Sequence, residues 1–287
     1  MPAWLTWTFV ALLSWGVWAV MSKVLGEALT ATQSQVLSTL GMLPILLPLA
    51  LSKRASLRGT SRKGLLLALI GGIVSCLGNV FYYSALARGE AVATVVSLTA
   101  LYPLVTILLA VLVLRERLNP VQLAGVVLSF VAIWLFNIQS DHGLLSRTLV
   151  YAVPPIVLWG LSGFLQKVAT NHLSAEAATL VYLGAFVPVG MLLALREPWP
   201  VALAPRSWAI VLALGFFLAL GNFAILAAFA RNGKAAIITP LSSLYPIISV
   251  PIAVLLLGEH LGRREAIGIA CALVSVAALS YESTKKP

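Results

Sequence analysis

Charged side chains are scarce in this sequence. Only 10% of its 287 residues are Asp, Glu, Lys or Arg, whereas 60% are apolar. Soluble domains carry about 25% charged residues, so this composition excludes a soluble fold. With a mean hydropathy of +1.00, the chain has the composition of a polytopic membrane protein that has the lipid bilayer as its surroundings.

Histidine and cysteine are also rare, and neither forms a cluster. His142, His172 and His260 fall in three different loops without the spacing of metal ligands, and Cys76 and Cys271 are single thiols. The sequence has neither a phosphate-binding glycine motif nor a nucleophile elbow. An enzyme inside the membrane would need acids or histidines grouped at depth. We therefore expect no catalytic site, no metal and no cofactor.

Long apolar runs fill most of the chain instead. A helix of about 20 apolar residues crosses the bilayer core, and ten stretches of this kind are present. They are apolar throughout rather than alternating, which excludes a membrane barrel built from strands. The sequence therefore predicts an all-α polytopic membrane protein. Its ten transmembrane helices are expected at approximately 3–24, 33–51, 64–87, 92–114, 121–138, 148–170, 175–195, 207–230, 235–257 and 265–282.

The second half of the sequence repeats the first. Motifs recur in the same order at a shift of 143 residues through most of each copy, and of 144 residues near its start. Two copies of one unit therefore make up the chain. The clearest pairs are Trp15-Gly16 with Trp159-Gly160, Leu77-Gly78-Asn79 with Leu220-Gly221-Asn222, and Leu101-Tyr102-Pro103 with Leu244-Tyr245-Pro246.

Each copy contains five of the ten apolar stretches. We place the first repeat at 1–139, with helices 1 to 5, and the second at 140–287, with helices 6 to 10. Because five is an odd number, the second copy enters the membrane from the side opposite to the first. The two repeats are then related by a pseudo-twofold axis in the membrane plane. The expected fold is therefore two inverted-topology repeats of five helices.

Several motifs combine into one recognisable pattern. They are the Trp-Gly-x6-Lys of helices 1 and 6, the Tyr83-x-Ala85-Leu86 that ends helix 3, the Tyr-Pro of helices 4 and 9, and the Leu-x-Glu-x-Leu and Gly that lead into helices 5 and 10. In order, spacing and duplication this pattern resembles the EamA-type family of the drug/metabolite transporter superfamily. The resemblance implies a ten-helix exporter or exchanger of small metabolites, not an enzyme, with a central cavity lined by helices 1, 3, 4, 6, 8 and 9.

The positions of the acids narrow the kind of substrate. All nine Asp and Glu residues fall at stretch ends or in loops, whereas proton-coupled export of cations depends on a carboxylate inside the membrane. We therefore expect a carrier of small neutral or zwitterionic metabolites that works by alternating access about a midplane cavity. Amino acids, including aromatic ones, are the leading substrates. The alternatives are a proton-coupled multidrug or other metabolite exporter, and a passive channel.

Polar and aromatic side chains on shared helix faces mark the candidate substrate site. Residues at i, i+3, i+4 and i+7 lie on one face of a helix, and both repeats keep such a stripe. Alternatives are helix packing for the hydroxyl residues, a hydrogen bond between repeats for the asparagines, and an interfacial belt for the tryptophans. The candidate substrate-binding residues are Trp15, Trp18, Asn79, Tyr82, Thr99, Tyr102, Trp159, Ser162, Asn222, Ser242 and Tyr245.

Two lysines and two prolines complete the candidate residues. Lys23 and Lys167 lie at the ends of helices 1 and 6, and therefore on opposite sides of the membrane if the repeats are inverted. They are candidates for gates or for guiding a carboxylate, and the alternative is snorkelling to lipid headgroups. Pro103 and Pro246 interrupt the backbone hydrogen bonds of helices 4 and 9 and are candidate hinges.

The distribution of positive charge predicts the orientation. Lys and Arg are more frequent in the segments that face the cytoplasm if the amino terminus does. We therefore expect a multi-pass protein of the cell's inner membrane with both termini cytoplasmic. The net charge of +10 then faces anionic lipid rather than nucleic acid. Helices 5 and 10 are expected at the periphery, where they could support a homodimer, and Glu116 and Glu259 are expected to cap them.

Overall fold

The computed structural model describes residues 2–26, 29–88, 90–114, 118–137, 147–197, 203–231, 234–279 and 281. Within these ranges it contains fourteen α-helices, one short 3-10 turn at Lys53–Ala55 and no β-strand. The helices are α1 (Ala3–Gly26), α2 (Ala31–Gly41), α3 (Leu43–Leu51), α4 (Arg62–Ala87), α5 (Val92–Thr99), α6 (Pro103–Leu114), α7 (Pro120–Asn137), α8 (Arg147–Thr170), α9 (Ala175–Gly184), α10 (Phe186–Ala194), α11 (Pro205–Ala230), α12 (Ala235–Ser242), α13 (Pro246–Leu256) and α14 (Arg263–Leu279).

Each of the ten apolar stretches, called spans 1 to 10 from here on, corresponds to one helix or to two consecutive helices. Spans 2, 4, 7 and 9 are the pairs α2–α3, α5–α6, α9–α10 and α12–α13, and the other six are single helices. In the described part of the chain, seven of these units are long and apolar enough to cross a membrane, and the pair α2–α3, bent by 42°, is an eighth. The all-helical membrane fold is thus confirmed, while the exact number of ten crossings stays a prediction.

Spans 2 and 7 begin at equivalent helix caps. Thr30 Oγ1 accepts a hydrogen bond from Gln33 N at 3.1 Å, and Gln33 Oε1 accepts one from Thr30 N at 3.1 Å, which forms a capping box. Ser174 Oγ accepts one from Ala177 N at 3.2 Å at the start of α9. These side chains satisfy amides that a helix start leaves unpaired, and they occupy matching positions in the two copies.

Spans 4 and 9 are interrupted at the duplicated Tyr-Pro motif. Helix α5 ends at Thr99 and α6 begins at Pro103, and α13 begins in the same way at Pro246. Proline cannot donate a backbone hydrogen bond, so it suits the first position of a new helix, where the amide has no partner within the helix. The breaks place Tyr102 and Tyr245 between half-helices. Whether the two prolines act as hinges stays a prediction.

The third helix of each repeat packs on the first helix of the other repeat. The most extensive packing joins α4 to α8, α1 to α11, and α7 to α14. Span 3 of the first repeat thus packs on span 6 of the second repeat, and span 8 of the second repeat packs on span 1 of the first. A twofold operation that swaps the repeats maps these contacts onto one another, as expected for inverted repeats. The division between 1–139 and 140–287 falls outside the described residues and stays a prediction.

Spans 5 and 10 pair with each other through small and polar residues. Ser129 Oγ and Ser275 Oγ lie 2.6 Å apart, and Ser275 Oγ also donates to Gly125 O at 2.8 Å. Gln122 Nε2 donates to Leu279 O at 3.2 Å. Small residues and interhelical hydrogen bonds of this kind hold helices together in membranes. The pairing of α7 with α14 is therefore internal to the chain, and a homodimer stays a prediction.

Glu259 caps span 4 rather than span 10. Its Oε1 accepts a hydrogen bond from Val92 N at 2.6 Å and its Oε2 accepts one from Ala93 N at 2.9 Å, both at the start of α5. The expectation that Glu259 caps helix 10 is wrong, because Glu265 Oε2 instead accepts from Gly262 N at 2.8 Å there. A carboxylate at a helix start satisfies free amides and opposes the positive end of the helix dipole. Glu116 lies outside the described residues.

We expect Glu259→Ala to lower the stability of the protein more than Glu265→Ala. Glu259 satisfies two backbone amides of another span, whereas Glu265 bonds within its own turn. Loss of a helix cap costs about 0.5–2 kcal/mol, and hydrogen bonds to charged groups lie at the upper end of the usual range. Thermal unfolding of the purified variants in detergent measures the difference. Equal melting temperatures for the two variants would contradict this role of Glu259.

Candidate functional site

A cavity lies between the two repeats, at the level of the Tyr-Pro breaks. Its volume is about 50 Å³, which is room for a few water molecules. Both repeats contribute to its wall, and within the described part of the chain no charged residue lines it. The lining residues are Trp15, Trp18, Ser75, Asn79, Tyr102, Trp159, Ser162, Gly163, Gln166, Tyr182, Leu218, Asn222, Ile225, Thr239 and Tyr245.

Most of the residues singled out from the sequence meet at this cavity. Tyr82, Thr99 and Ser242 lie behind its wall instead. Thr99 Oγ1 donates to Val95 O at 2.7 Å, and Ser242 Oγ donates to Thr239 O at 2.9 Å. The hydroxyls of Thr99 and Ser242 thus donate to carbonyls of their own helices, which agrees with the alternative that these two residues serve helix packing. The predicted residues on the wall are Trp15, Trp18, Asn79, Tyr102, Trp159, Ser162, Asn222 and Tyr245.

Trp159 is the centre of an aromatic cluster drawn from both repeats. Its ring centroid lies 5.4 Å from that of Tyr82, 5.9 Å from Trp18 and 6.3 Å from Tyr102. Trp18 stacks on the fully buried Tyr82 at 4.7 Å and donates from Nε1 to Tyr83 OH at 3.0 Å. Such aromatic pairs stabilise beyond the area they bury. One side of the cavity is therefore a rigid aromatic surface.

The duplicated Trp-Gly and Leu-Gly-Asn motifs contact each other across the two repeats. A Cβ at Gly78 would lie 2.6 Å from Nε1 of Trp159, and a Cβ at Gly221 would overlap Nε1 of Trp15 in the same way. Each indole thus lies against the helix backbone of the opposite repeat, where only glycine leaves room. The duplicated motifs therefore form two equivalent contacts between the repeats, one on each side of the cavity.

Hydrogen bonds fix several of the polar side chains. Trp159 Nε1 donates to Asn79 Oδ1 at 3.0 Å, and Gln166 Nε2 donates to Asn222 Oδ1 at 3.2 Å. Ser162 Oγ lies 3.0 Å from Gly71 O and 3.0 Å from the hydroxyl of Tyr182. These bonds connect spans 3, 6, 7 and 8. A structural hydrogen bond between the repeats, the alternative considered for the asparagines, is thus present at Asn79, whereas Asn222 bonds within the second repeat.

In the part of the chain that the structure describes, four polar atoms of cavity-lining residues have no hydrogen-bond partner. They are Asn79 Nδ2, Tyr102 OH, Thr239 Oγ1 and Tyr245 OH. The two tyrosine hydroxyls lie beside Ser242 and Thr99, respectively, but without an aligned hydrogen bond. Buried polar groups without partners are costly and uncommon. A bound molecule with matching polar groups would satisfy them.

Tyr182 and Thr239 were not identified from the sequence. The resemblance implied a cavity lined by spans 1, 3, 4, 6, 8 and 9, but Tyr182 comes from α9 in span 7. The first repeat has Ser38 and Thr39 at the corresponding place, and neither is aromatic, so the repeat comparison gave no aromatic signal there. Thr239 lies one turn before Ser242 on the same helix face, and extending the polar stripe by that turn would have found it.

The two candidate gate lysines lie away from the cavity. Lys23 Nζ donates to Glu90 O at 3.3 Å, which joins the end of span 1 to the connection before α5. Lys167 is in the last turn of α8. A gating role for the lysines stays a prediction.

Two arginines at equivalent positions of the repeats lie over aromatic rings. Arg88 lies 4.7 Å from the ring centroid of Tyr151, and Arg231 lies 5.3 Å from that of Trp7. These contacts join span ends of opposite repeats.

Two interlocked helical repeats around a shared cavity are typical of multi-pass membrane transporters. Comparison with known families agrees, because the model of the EamA-like transporter family matches residues 2–138 and again 146–281. The chain belongs to the EamA-like transporter family, within the drug/metabolite transporter superfamily. The resemblance drawn from the motifs is thereby confirmed over both repeats.

Two individual proteins illustrate the relationship. An uncharacterised protein of Methanocaldococcus jannaschii is 31% identical to this chain over 126 residues, which are 44% of this chain and 90% of that protein. A protein of known crystal structure superposes with a TM-score of 0.69 at 20% identity, and the match covers 96% of this chain and 94% of that one. At this identity the second likeness shows the fold alone. The first relative is about as long as one repeat.

Proposed function

We propose that the protein is a carrier that exports or exchanges small neutral or zwitterionic metabolites. Amino acids, with aromatic ones foremost, are the proposed substrates. The observation that carries this proposal is the cavity between the repeats, which combines an aromatic surface with unpartnered polar atoms and no charged lining among the described residues. Aromatic walls with a few directed polar groups are typical of small-molecule sites.

Alternating access about this cavity is the proposed mechanism. The cavity is only about 50 Å³ in volume, so the helices around it must separate before a metabolite can enter. The third helix of each repeat packs on the first helix of the other. This symmetry supports two equivalent openings of the cavity, one towards each side of the membrane. The interrupted spans 4 and 9 place Tyr102 and Tyr245 between half-helices, where a change of angle would move the cavity wall.

The positions of the carboxylates argue against proton coupling. Within the described ranges, every acidic residue lies at a helix end or in a connection, and none lines the cavity. A proton-coupled exporter of cationic drugs would need such a group at depth. We therefore propose transport down a gradient or by exchange. The described acids are Glu90, Glu176, Glu197, Glu259 and Glu265.

The proposed setting is the inner membrane of the cell, with both termini in the cytoplasm, following the bias of Lys and Arg. The partners that we propose are a small-molecule metabolite, the lipid bilayer and a second copy of the chain. Nucleic acid is not among them, because the positive charge lies in loops that would face anionic lipid.

Counterflow in proteoliposomes tests the carrier proposal. Vesicles loaded with unlabelled L-phenylalanine are expected to accumulate labelled L-phenylalanine transiently and saturably, because a carrier exchanges substrates through one alternating site. An imposed pH gradient is expected to leave this uptake unchanged and to move no net protons. Uptake that follows the pH gradient would contradict the uncoupled mechanism. Non-saturable flux without counterflow would instead indicate a channel.

A further inference from the structure

The side-chain amide of Asn79 has only one possible orientation. Trp159 Nε1 is a donor without acceptor capacity, and it lies 3.0 Å from Asn79 Oδ1. Turning the amide around would place an NH₂ group against an N–H group. The amide nitrogen must therefore lie on the other side of a residue that lines the cavity, and it has no hydrogen-bond partner among the described residues. Asn79 is 1% exposed, so bulk water does not satisfy this donor.

The equivalent asparagine in the second repeat is satisfied at both ends. Asn222 Nδ2 donates to Leu218 O at 2.9 Å, and Asn222 Oδ1 accepts from Gln166 Nε2 at 3.2 Å. Both bonds lie within the protein, and together they fix the amide orientation. The Asn222 amide nitrogen therefore already donates one hydrogen bond inside the protein, whereas that of Asn79 donates none among the described residues, although both asparagines line the same cavity.

The asymmetry between the asparagines has its cause in one further sequence difference. Gln166 occupies the position that Ser22 occupies in the first repeat, and Ser22 Oγ donates to Trp18 O in its own helix at 2.8 Å. The shorter side chain leaves the Asn79 oxygen to Trp159, whereas the longer glutamine binds the Asn222 oxygen. A pair of residues that the duplication kept identical thus has two different chemical roles.

We infer that Asn79 is the specificity-determining donor of the site and binds a carboxylate or carbonyl oxygen of the substrate, while Asn222 serves the fold. This inference rests on the proposed carrier function. The substrate lies with its oxygen towards span 3 and its apolar body against the Trp159 cluster. An ammonium group finds no carboxylate among the described lining residues, so we expect the substrate oxygen to contribute more to binding than the amine.

Three small probes with the same phenyl ring separate these contributions. L-Phenylalanine carries a carboxylate and an ammonium, 2-phenylacetamide carries an uncharged carbonyl, and phenethylamine carries an ammonium without an acceptor. Binding to the purified full-length protein in lipid nanodiscs is followed by the change in tryptophan fluorescence. The wild type is expected to bind phenylalanine and phenylacetamide about tenfold more tightly than phenethylamine, the size of one buried hydrogen bond.

Three variants locate the preference. Asn79→Leu is expected to lose it, and Asn222→Leu is expected to keep it even if its overall stability falls. Asn79→Asp retains the oxygen that Trp159 binds and removes only the donor, so it is expected to reverse the preference towards phenethylamine at a pH where the carboxylate is ionised. Because Asn79→Asp preserves the acceptor for Trp159, a changed preference in this variant cannot be due to loss of that structural bond.

The outcomes distinguish the role of Asn79 from the proposed carrier function. Wild-type binding of phenethylamine as tight as that of phenylacetamide, or an unchanged preference in Asn79→Asp, would overturn the role of Asn79 while phenylalanine counterflow still supports the carrier. Equal loss of the preference in Asn79→Leu and Asn222→Leu would do the same. Absence of both counterflow and binding for all three probes would overturn the proposed function, and this inference with it.

Discussion

Replacing Trp159 by alanine is expected to abolish phenylalanine counterflow while the protein still reaches the membrane. The substitution removes the ring that contacts Trp18, Tyr82 and Tyr102, the donor that orients Asn79, and part of the cavity wall. Trp159 is only partly buried, so its truncation is expected to cost less packing than the about 3–5 kcal/mol of a fully buried tryptophan. Since the ring borders the cavity, we expect the loss to fall mainly on substrate binding and to exceed tenfold, with about 1.4 kcal/mol for each factor of ten.

Two matched variants give this experiment its controls. Trp134 on α7 is 61% exposed on the outer surface, so Trp134→Ala is expected to transport normally. Trp159→Phe keeps an aromatic ring but removes the donor to Asn79, and an intermediate rate is expected from it. Tyr102→Ala and Tyr245→Ala on the same wall are also expected to reduce counterflow. Normal transport by all of the cavity variants would show that this cavity is not the substrate site.

Much of this arrangement could be predicted from the sequence because the duplication repeats the residues that matter. A Tyr-Pro pair inside an apolar stretch indicates a broken helix, and the breaks at Pro103 and Pro246 occur there. Asn79 and Tyr102 were identified because polar side chains on a membrane-spanning helix need hydrogen-bond partners inside the protein. The repeat signal thus located both halves of the cavity wall.

Other features depend on three-dimensional contacts that no repeat comparison contains. Span 7 reaches the cavity with Tyr182 because Gly72 lets α4 lie directly against the carbonyl of that residue. Glu259 reaches the start of α5, which lies far from it in the chain. The different hydrogen bonds of Asn79 and Asn222 follow from the length of the side chain at Gln166. Such contacts are set by how the helices pack in three dimensions and not by the sequence pattern of either repeat.

Two glycines at equivalent positions bring helix backbones into direct contact. A Cβ at Gly72 on α4 would overlap the carbonyl oxygen of Tyr182 in span 7, and a Cβ at Gly215 on α11 would overlap that of Ser38 in span 2. Gly41 faces Gly215 across the second of these contacts. Backbone atoms cannot rotate away as a side chain can, so a methyl group here forces whole helices apart.

Gly215→Ala is therefore expected to destabilise the protein severely, at or above the upper end of the about 1–3 kcal/mol that overpacking usually costs. Gly184 is the matched control, because it is the equivalent of Gly41 in the second repeat and has open space around its Cβ position. Gly184→Ala should leave the melting temperature unchanged or raise it slightly, since alanine favours helix by about 0.5–1 kcal/mol over glycine. Thermal unfolding and size-exclusion chromatography in detergent measure both variants. A stable, monodisperse Gly215→Ala protein would contradict the backbone contact between spans 2 and 8, and with it the tight seam that holds one repeat against the other beside the cavity.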